Sequence, residues 1–288
     1  MPRAEPADGG GDAARDSWGL PGVEAIPGPA AVAVVAASKL AVVRDLAAWC
    51  RRQQLPTVEE DELVKFAHSC DYDLDRAKKC VTEFHACRKN TPELFSGWDT
   101  ELSNMRSILD VILVALVPRK TPQNCRVLVN SLQTSSTSNY VFADVCKALL
   151  MVMETIFLTE PTLDGLVVVH DMGQASFSHF MKFGWSLPQK FSNYTQEALP
   201  LKQSTMHLVH CSSFVDKGLK MMSHIGKKED RDKLRVHPGK DYSALHAEIP
   251  RDCLPSDLGG TQPSIAELHE ATVRRLAAFR DVFKQRLP

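Results

Sequence analysis

Short apolar, β-branched runs separated by helix-length amphipathic stretches constrain this chain most. Arg126–Val129, Leu166–Val169 and Met206–Val209 each read as a strand, and the second, four apolar residues ahead of His170 and Asp171, reads as buried on both faces. Between the first two lies Phe142–Phe157, helical by length and spacing, and a further helix and loop precede the third. Such alternation predicts right-handed βαβ crossovers and a mixed, largely parallel sheet flanked by helices, an α/β fold.

Before the first strand the pattern is wholly helical. Leu46, Trp49 and Cys50 line one face ahead of Pro56, and an acidic turn, Glu59–Glu62, leads into Leu63, Val64 and Phe66. Asp73 is placed to cap a segment carrying Ala77, Cys80, Val81 and Phe84, which Asn90 and Pro92 end. Thr100–Val117 reads as one more helix, and Ser264–Lys284 as the last. The division expected is a disordered Gly/Pro/Ala tail over 1–37, an all-helical N-terminal subdomain over 38–98, and an α/β domain with a C-terminal helix over 99–288.

Composition removes several function classes. Thirty-four Lys+Arg against thirty-five Asp+Glu give a formal charge of -1, so no global field draws the chain to nucleic acid, and no nucleic-acid partner is expected. No window of about 18 apolar residues appears. The Ala30–Ala37 run follows Glu5, Asp8, Asp12, Asp16 and Glu24, which argues against a secretory signal. The eight cysteines are too sparse for a disulfide scaffold and read as reduced and buried, so the expected location is the cytoplasm, with peripheral membrane contact.

Catalytic and metal signals are weak. Ser176, Ser178 and His179 follow a strand, but Gly173-Gln174-Ala175-Ser176-Phe177 lacks the second glycine of a nucleophile elbow. An esterase-like hydrolase is therefore the lesser alternative. No phosphate-binding glycine loop occurs, and Gly9–Gly11 lie in the tail. His207 and His210, three apart on a strand, point to opposite faces and cannot chelate together. Cys80, His85 and Cys87 lack a Cys-x-x-Cys partner, and Asn193-Tyr194-Thr195 reads as a chance glycosylation match. No metal, cofactor or catalytic residue is expected. What stands out is Lys217–Lys240, where eight Lys/Arg against three acids leave a local +5 beside an apolar helix face carrying Phe214, Val215, Leu219 and Met222.

Seven segments, in order, resemble the CRAL-TRIO family of tocopherol, retinaldehyde and phosphatidylinositol carriers over about residues 40 to 285. They are Glu62–Phe66, Tyr72–Ala77, Gly165–Asp171, Ser176–His179, Leu199–Lys202, Met206–Val209 and Leu254–Gly260. Three positions depart from the family pattern. His68-Ser69-Cys70 stands where two arginines are usual, Ser204 stands where tocopherol-binding members carry a second basic residue, and Leu258 replaces a tyrosine before Gly-Gly.

The resemblance implies a non-enzymatic, monomeric carrier that holds one hydrophobic molecule or lipid in an apolar pocket and moves it between membranes. A fold that serves as an interaction or scaffold module with a filled pocket is the alternative. By alignment the pocket walls fall at Cys146, Leu149, Met153, Leu166, Val168, Phe177, Phe191, Tyr194 and Leu199, with a gate near His210–Lys233 that brings Phe214, Leu219 and Met222. Lys202, Lys217, Lys220, Lys227, Lys228, Arg231 and Lys233 are the expected contacts to an anionic membrane, phosphoinositide included. Near Leu149 and Met153 tocopherol-binding members carry serines, which implies a ligand with hydrocarbon against this helix.

Overall fold

The fold is seen in a computed structural model that describes residues 37–56, 58–211 and 232–287. The tail, and with it the Ala/Val run up to residue 36, lies outside the described residues, as do Phe214, Val215, Leu219, Met222, Lys217, Lys220, Lys227, Lys228 and Arg231.

Helices come first: α1 (Ala37–Arg52), α2 (Glu60–Ser69), α3 (Leu74–Asn90), α4 (Pro92–Phe95) and α5 (Ser103–Leu109). Asp73 caps α3 as its sequence position predicts, its carboxylate accepting from Asp75 N and Arg76 N at 3.0 Å each. Phe66, Phe84 and Phe157 meet edge to face with centroids 5.1 to 6.0 Å apart, which joins α2 and α3 to the later helix α6 (Phe142–Thr159).

Among the described residues five strands follow, adjacent in sequential order: β1 (Ile112–Leu116), β2 (Cys125–Leu132), β3 (Gly165–Asp171), β4 (Gln203–Cys211) and β5 (Leu234–Pro238). β1 runs antiparallel to β2 and the other pairs are parallel, so the sheet is mixed and largely parallel. Helix α7 (Phe177–Met181), α8 (Ser186–Asn193) and a π-helical turn, Tyr194–Ala198, connect β3 to β4. After β5 come α9 (Ser243–Glu248), α10 (Ile265–Ala278) and α11 (Arg280–Arg286).

Three expectations need correction. Thr100–Val117 is not one helix: α5 ends at Leu109 and Ile112–Leu116 is a strand. Ile112–Leu116 is buried at every residue but Leu113, so it lacks the one-sided periodicity that separates a helix from a two-face-buried strand. The C-terminal helix is two helices, broken at Phe279, where ψ reaches 2°. β5 lies inside the segment that reads from charge alone as a basic run, and it is a parallel edge strand of Leu-Arg-Val-His-Pro.

The sheet divides the molecule. One face, with Ile112, Val114, Leu116, Leu128, Leu166 and Val168, packs into a core shared with α1–α6 and the C-terminal helices. The other, with Ala115, Val127, Val129, Val167 and Val169, meets Leu245 of α9, Leu254 and Leu258 of the following loop, and Ile265 and Leu268 of α10. Helix α10 also covers the free edge of β1: Val114 N donates to His269 Nδ1 and Leu116 N to Thr272 Oγ1, both at 3.0 Å. An exposed strand edge is a site for unwanted pairing, and these side chains occupy it.

Candidate functional site

The aliphatic wall of α6 arises from its sequence, Phe-Ala-Asp-Val-Cys-Lys-Ala-Leu-Leu-Met-Val-Met, in which one face presents Cys146, Leu149 and Met153 toward the sheet side of the core. These three, Leu166 and Val168 of β3, and Tyr194 and Leu199 beside the π turn are all buried in that one core, with Phe191 of α8 half-buried against it. Burial pushes the Cys146 thiol well above its ordinary range. The Tyr194 hydroxyl accepts from Arg88 Nη2 at 2.9 Å and is also pushed upward by burial.

Phe177 stands apart from the wall, 45% exposed on α7. The reason is local. Ser176 and His179 form a reciprocal cap at the start of α7, and in that register Phe180 turns inward against Phe183 while Phe177 and Met181 face outward. Met181 is 64% and Trp185 76% exposed. The same cap accounts for the Ser–His contact that suggests a hydrolase. Ser176 Oγ lies 2.8 Å from His179 Nδ1, yet the groups bearing on His179 are backbone of Ser136 and Ser176 and the Lys182 cation, with no orienting carboxylate among them.

Of the expected membrane cations, Lys202 is ion-paired with Asp71 across to the helical region, and this contact holds the Asp71 carboxyl below its usual range. Lys233 is half-buried just ahead of β5. His207 and His210 do face opposite sides. His207 Nδ1 lies 3.0 Å from His237 Nε2 with the rings stacked, whereas His210 Nδ1 donates to Asp171 Oδ1 at 2.8 Å. Among the described residues no group of three or more His, Cys, Asp or Glu is arranged for a metal ion, and no helix is long and apolar enough to cross a membrane.

Sequence reading did not find the open space at the carboxyl ends of the parallel strands. A cavity of about 520 Å³ lies there, lined by Ser131 and Leu132 at the end of β2, Asp171 ending β3 and Gln174 after it, His210 of β4 and Lys240 after β5. Ligands of open α/β sheets lie in the crevice at this edge. His210 is held with φ +53°, an unfavourable conformation for a residue with a side chain, and its Nε2 lies 2.5 Å from the Tyr242 hydroxyl. That hydroxyl donates to the Asp257 carbonyl at 3.1 Å, so a polar chain from Asp171 to Asp257 fixes one wall. None of the pocket-wall residues read from the sequence lines this cavity.

The face bearing the aliphatic wall continues from Val168 through Met206 to Leu234, with Val236 next along β5. Cover falls away along it: Val168 is 3% exposed, Met206 and Leu234 are half-buried, and Val236 is 42% exposed. Two polar residues interrupt the face, Asn130 and His170, cross-strand partners with His170 Nδ1 2.8 Å from Asn130 Oδ1.

Comparison with known proteins gives one family and several distant relatives. A model of the CRAL/TRIO domain matches residues 113–260. The chain is 25% identical over 206 residues to the Mus musculus protein named alpha-tocopherol transfer protein-like, covering 71% of this chain and 59% of that protein. The Homo sapiens protein of the same name is 25% identical over 217 residues, covering 75% and 62%. Clavesin-1 of Xenopus laevis is 19% identical over 202 residues, covering 70% and 60%. The crystal structure of Sfh5 superposes with a TM-score of 0.47 at 12% identity, over 75% of this chain and 77% of that one. The chain spans about three fifths of the length of these curated relatives.

Proposed function

The chain belongs to the CRAL/TRIO family, and on that premise we propose that it is a non-catalytic, monomeric carrier acting in the cytoplasm. It binds one hydrophobic molecule or lipid against the β2–β5 sheet face and transfers it between membranes. The helices over 38–98 serve as a subdomain buttressing the carrier domain over 99–288. The names of the relatives, one a tocopherol transfer protein-like chain, agree with this class of ligand.

The observation that carries the reading is the apolar sheet face itself. Val168, Met206, Leu234 and Val236 form one continuous hydrocarbon surface whose β5 end stays open among the described residues. An exposed apolar surface of this kind marks a binding site or an interface. Leu149 and Met153 keep the α6 side of the site hydrocarbon. The outward Phe177, Met181 and Trp185 supply apolar side chains for the headgroup boundary of a membrane. Lys233, with the basic residues 217–231 outside the described part, supplies the anionic-lipid contact, with phosphoinositide as one such lipid.

The test is transfer between vesicles. Donor liposomes loaded with a fluorescent retinoid, tocopherol analogue or phospholipid should lose it to acceptors at a rate proportional to protein concentration. A rate equal to the protein-free background for all three would sink the proposal. A second reading, the interaction module with a filled pocket, is favoured by one observation: Tyr194, a wall residue by alignment, is wholly buried with its hydroxyl fixed by Arg88.

A further inference from the structure

On the reading that the ligand lies on this sheet face, we infer that Asn130 and His170 form its polar anchor, and that they select a hydrophobic molecule bearing a hydroxyl group. The pair sits at equivalent register on β2 and β3, on the side that carries Leu128 and Val168. His170 Nδ1 lies 2.8 Å from Asn130 Oδ1. Burial pushes the His170 ring down to about 4, so at physiological pH it is neutral and carries one proton.

Counting hydrogen-bond groups then fixes what is missing. The Asn130 carbonyl oxygen can only accept, so the ring proton lies on Nδ1 and Nε2 presents a lone pair. Asn130 Nδ2 is buried and has no partner. Turning the amide by 180° exchanges these roles: the ring would accept at Nδ1, carry its proton on Nε2, and leave the amide oxygen unpaired. Either arrangement leaves one donor and one acceptor unused, so the conclusion does not depend on the amide assignment.

The face they share leads to open surface. His170 is half-buried, and its register partner on β4, Leu208, pairs in turn with Val236 of β5, which is exposed on the same face.

An unpaired buried group such as Asn130 Nδ2 is costly, and a ligand that satisfies it together with His170 Nε2 gains what an apolar one cannot. A hydroxyl donates to one atom and accepts from the other. A hydrocarbon or ether oxygen cannot do both, an aldehyde only accepts, and a carboxylate would set its charge against a lone pair. The ligand class is therefore an alcohol or phenol on a hydrocarbon body, its apolar part against Leu149 and Met153.

The experiment uses matched pairs on the full chain: all-trans-retinol and its methyl ether, and α-tocopherol and its methyl ether, titrated by fluorescence. In at least one pair the hydroxyl compound should bind on the order of tenfold more tightly, about the worth of one or two net hydrogen bonds. His170→Phe and Asn130→Leu should bring that ratio close to one while ether binding persists, and His170→Gln, which keeps a donor and an acceptor, should retain a preference. Melting temperatures of the ligand-free variants verify folding, and the wild-type ratio decides the matter by itself if a variant fails to fold. Equal affinity for alcohol and ether in both pairs, or a preference surviving both Phe and Leu substitutions, overturns the anchor and leaves the carrier reading standing. Failure to bind any of the four compounds overturns the anchor, and the carrier reading falls with it only if phospholipid transfer between vesicles is also at background.

Discussion

Arg88 Nη2 donates to Glu154 Oε2 in the interior, with the arginine 5% and the glutamate 1% exposed. This ion pair bolts α3 of the helical region to α6, the helix that forms the site's aliphatic wall. Tyr194 accepts a second bond from Arg88 at 2.9 Å, and Arg286 of the C-terminal helix approaches Glu154 Oε1 at 3.4 Å. Opposition of charge and burial is resolved only while every partner is present.

Arg88→Met should therefore cost about 3–5 kcal/mol, because it strands a buried carboxylate. Pairing it with Glu154→Met should recover much of that loss. Urea midpoints of the two single variants and the double variant check this; strictly additive losses would mean the pair is not coupled.

A second prediction concerns the loop that holds Tyr242 beside His210. A Cβ at Gly260 would lie 1.9 Å from the Leu254 carbonyl oxygen, a backbone atom that cannot move aside. Gly260→Ala should cost on the order of 3 kcal/mol. Gly184, by contrast, has positive φ, at +66°, with nothing within 4 Å of its added Cβ, so Gly184→Ala should cost about 1 kcal/mol, from conformation alone. Thermal melts of the two variants should differ accordingly.

Stability should fall with acid between about pH 6.5 and 4. Burial, then the nearby His237 and Arg235, pushes His207 down to about 4, and burial pushes His170 down equally. Both take up protons more readily when unfolded, so their contribution is complete above the unfolded value of about 6.5 and is lost as pH drops through 4. For His170 alone that is on the order of 3 kcal/mol. Chemical denaturation across this window measures it, and His207→Asn should flatten the curve. A profile level from pH 7 to 4 would contradict it.

Membrane contact should depend on the outward side chains of α7 and the start of α8. Trp185→Ser and Met181→Ser should leave the melting temperature within about 1 °C, since surface changes cost little. Each should lower co-sedimentation with liposomes several-fold, as one apolar anchor is worth about 1.5–3 kcal/mol when fully buried. For the residues outside the described part, Lys217→Glu, Lys220→Glu and Lys227→Glu together should abolish the preference for anionic over neutral vesicles. Unchanged binding in both sets would place the contact elsewhere.

Three strands were legible because each is a short apolar run followed by a helix-length spacer, and the α6 wall because apolar residues dominate its turns from Val145 to Met153. β1 resembled a helix since it is buried on both sides and directly follows one. β5 was hidden because Arg235 and His237 alternate with Leu234 and Val236, so its charges merged into the basic run. Phe177 illustrates a different loss: the Ser176–His179 cap sets a helical register that no family alignment of apolar positions conveys. The Asn130–His170 contact depends on parallel register between strands some forty residues apart, which only the folded sheet supplies.

Native mass spectrometry of the full chain, expressed in lipid-rich cells and purified without detergent, tests the central claim most directly. The account predicts protein carrying one additional hydrophobic mass, released on denaturation and reduced in occupancy in the His170→Phe, Asn130→Leu form if that mass is an alcohol. A chain that remains empty after purification, and again after incubation with retinoids, tocopherols and phospholipids, would contradict it.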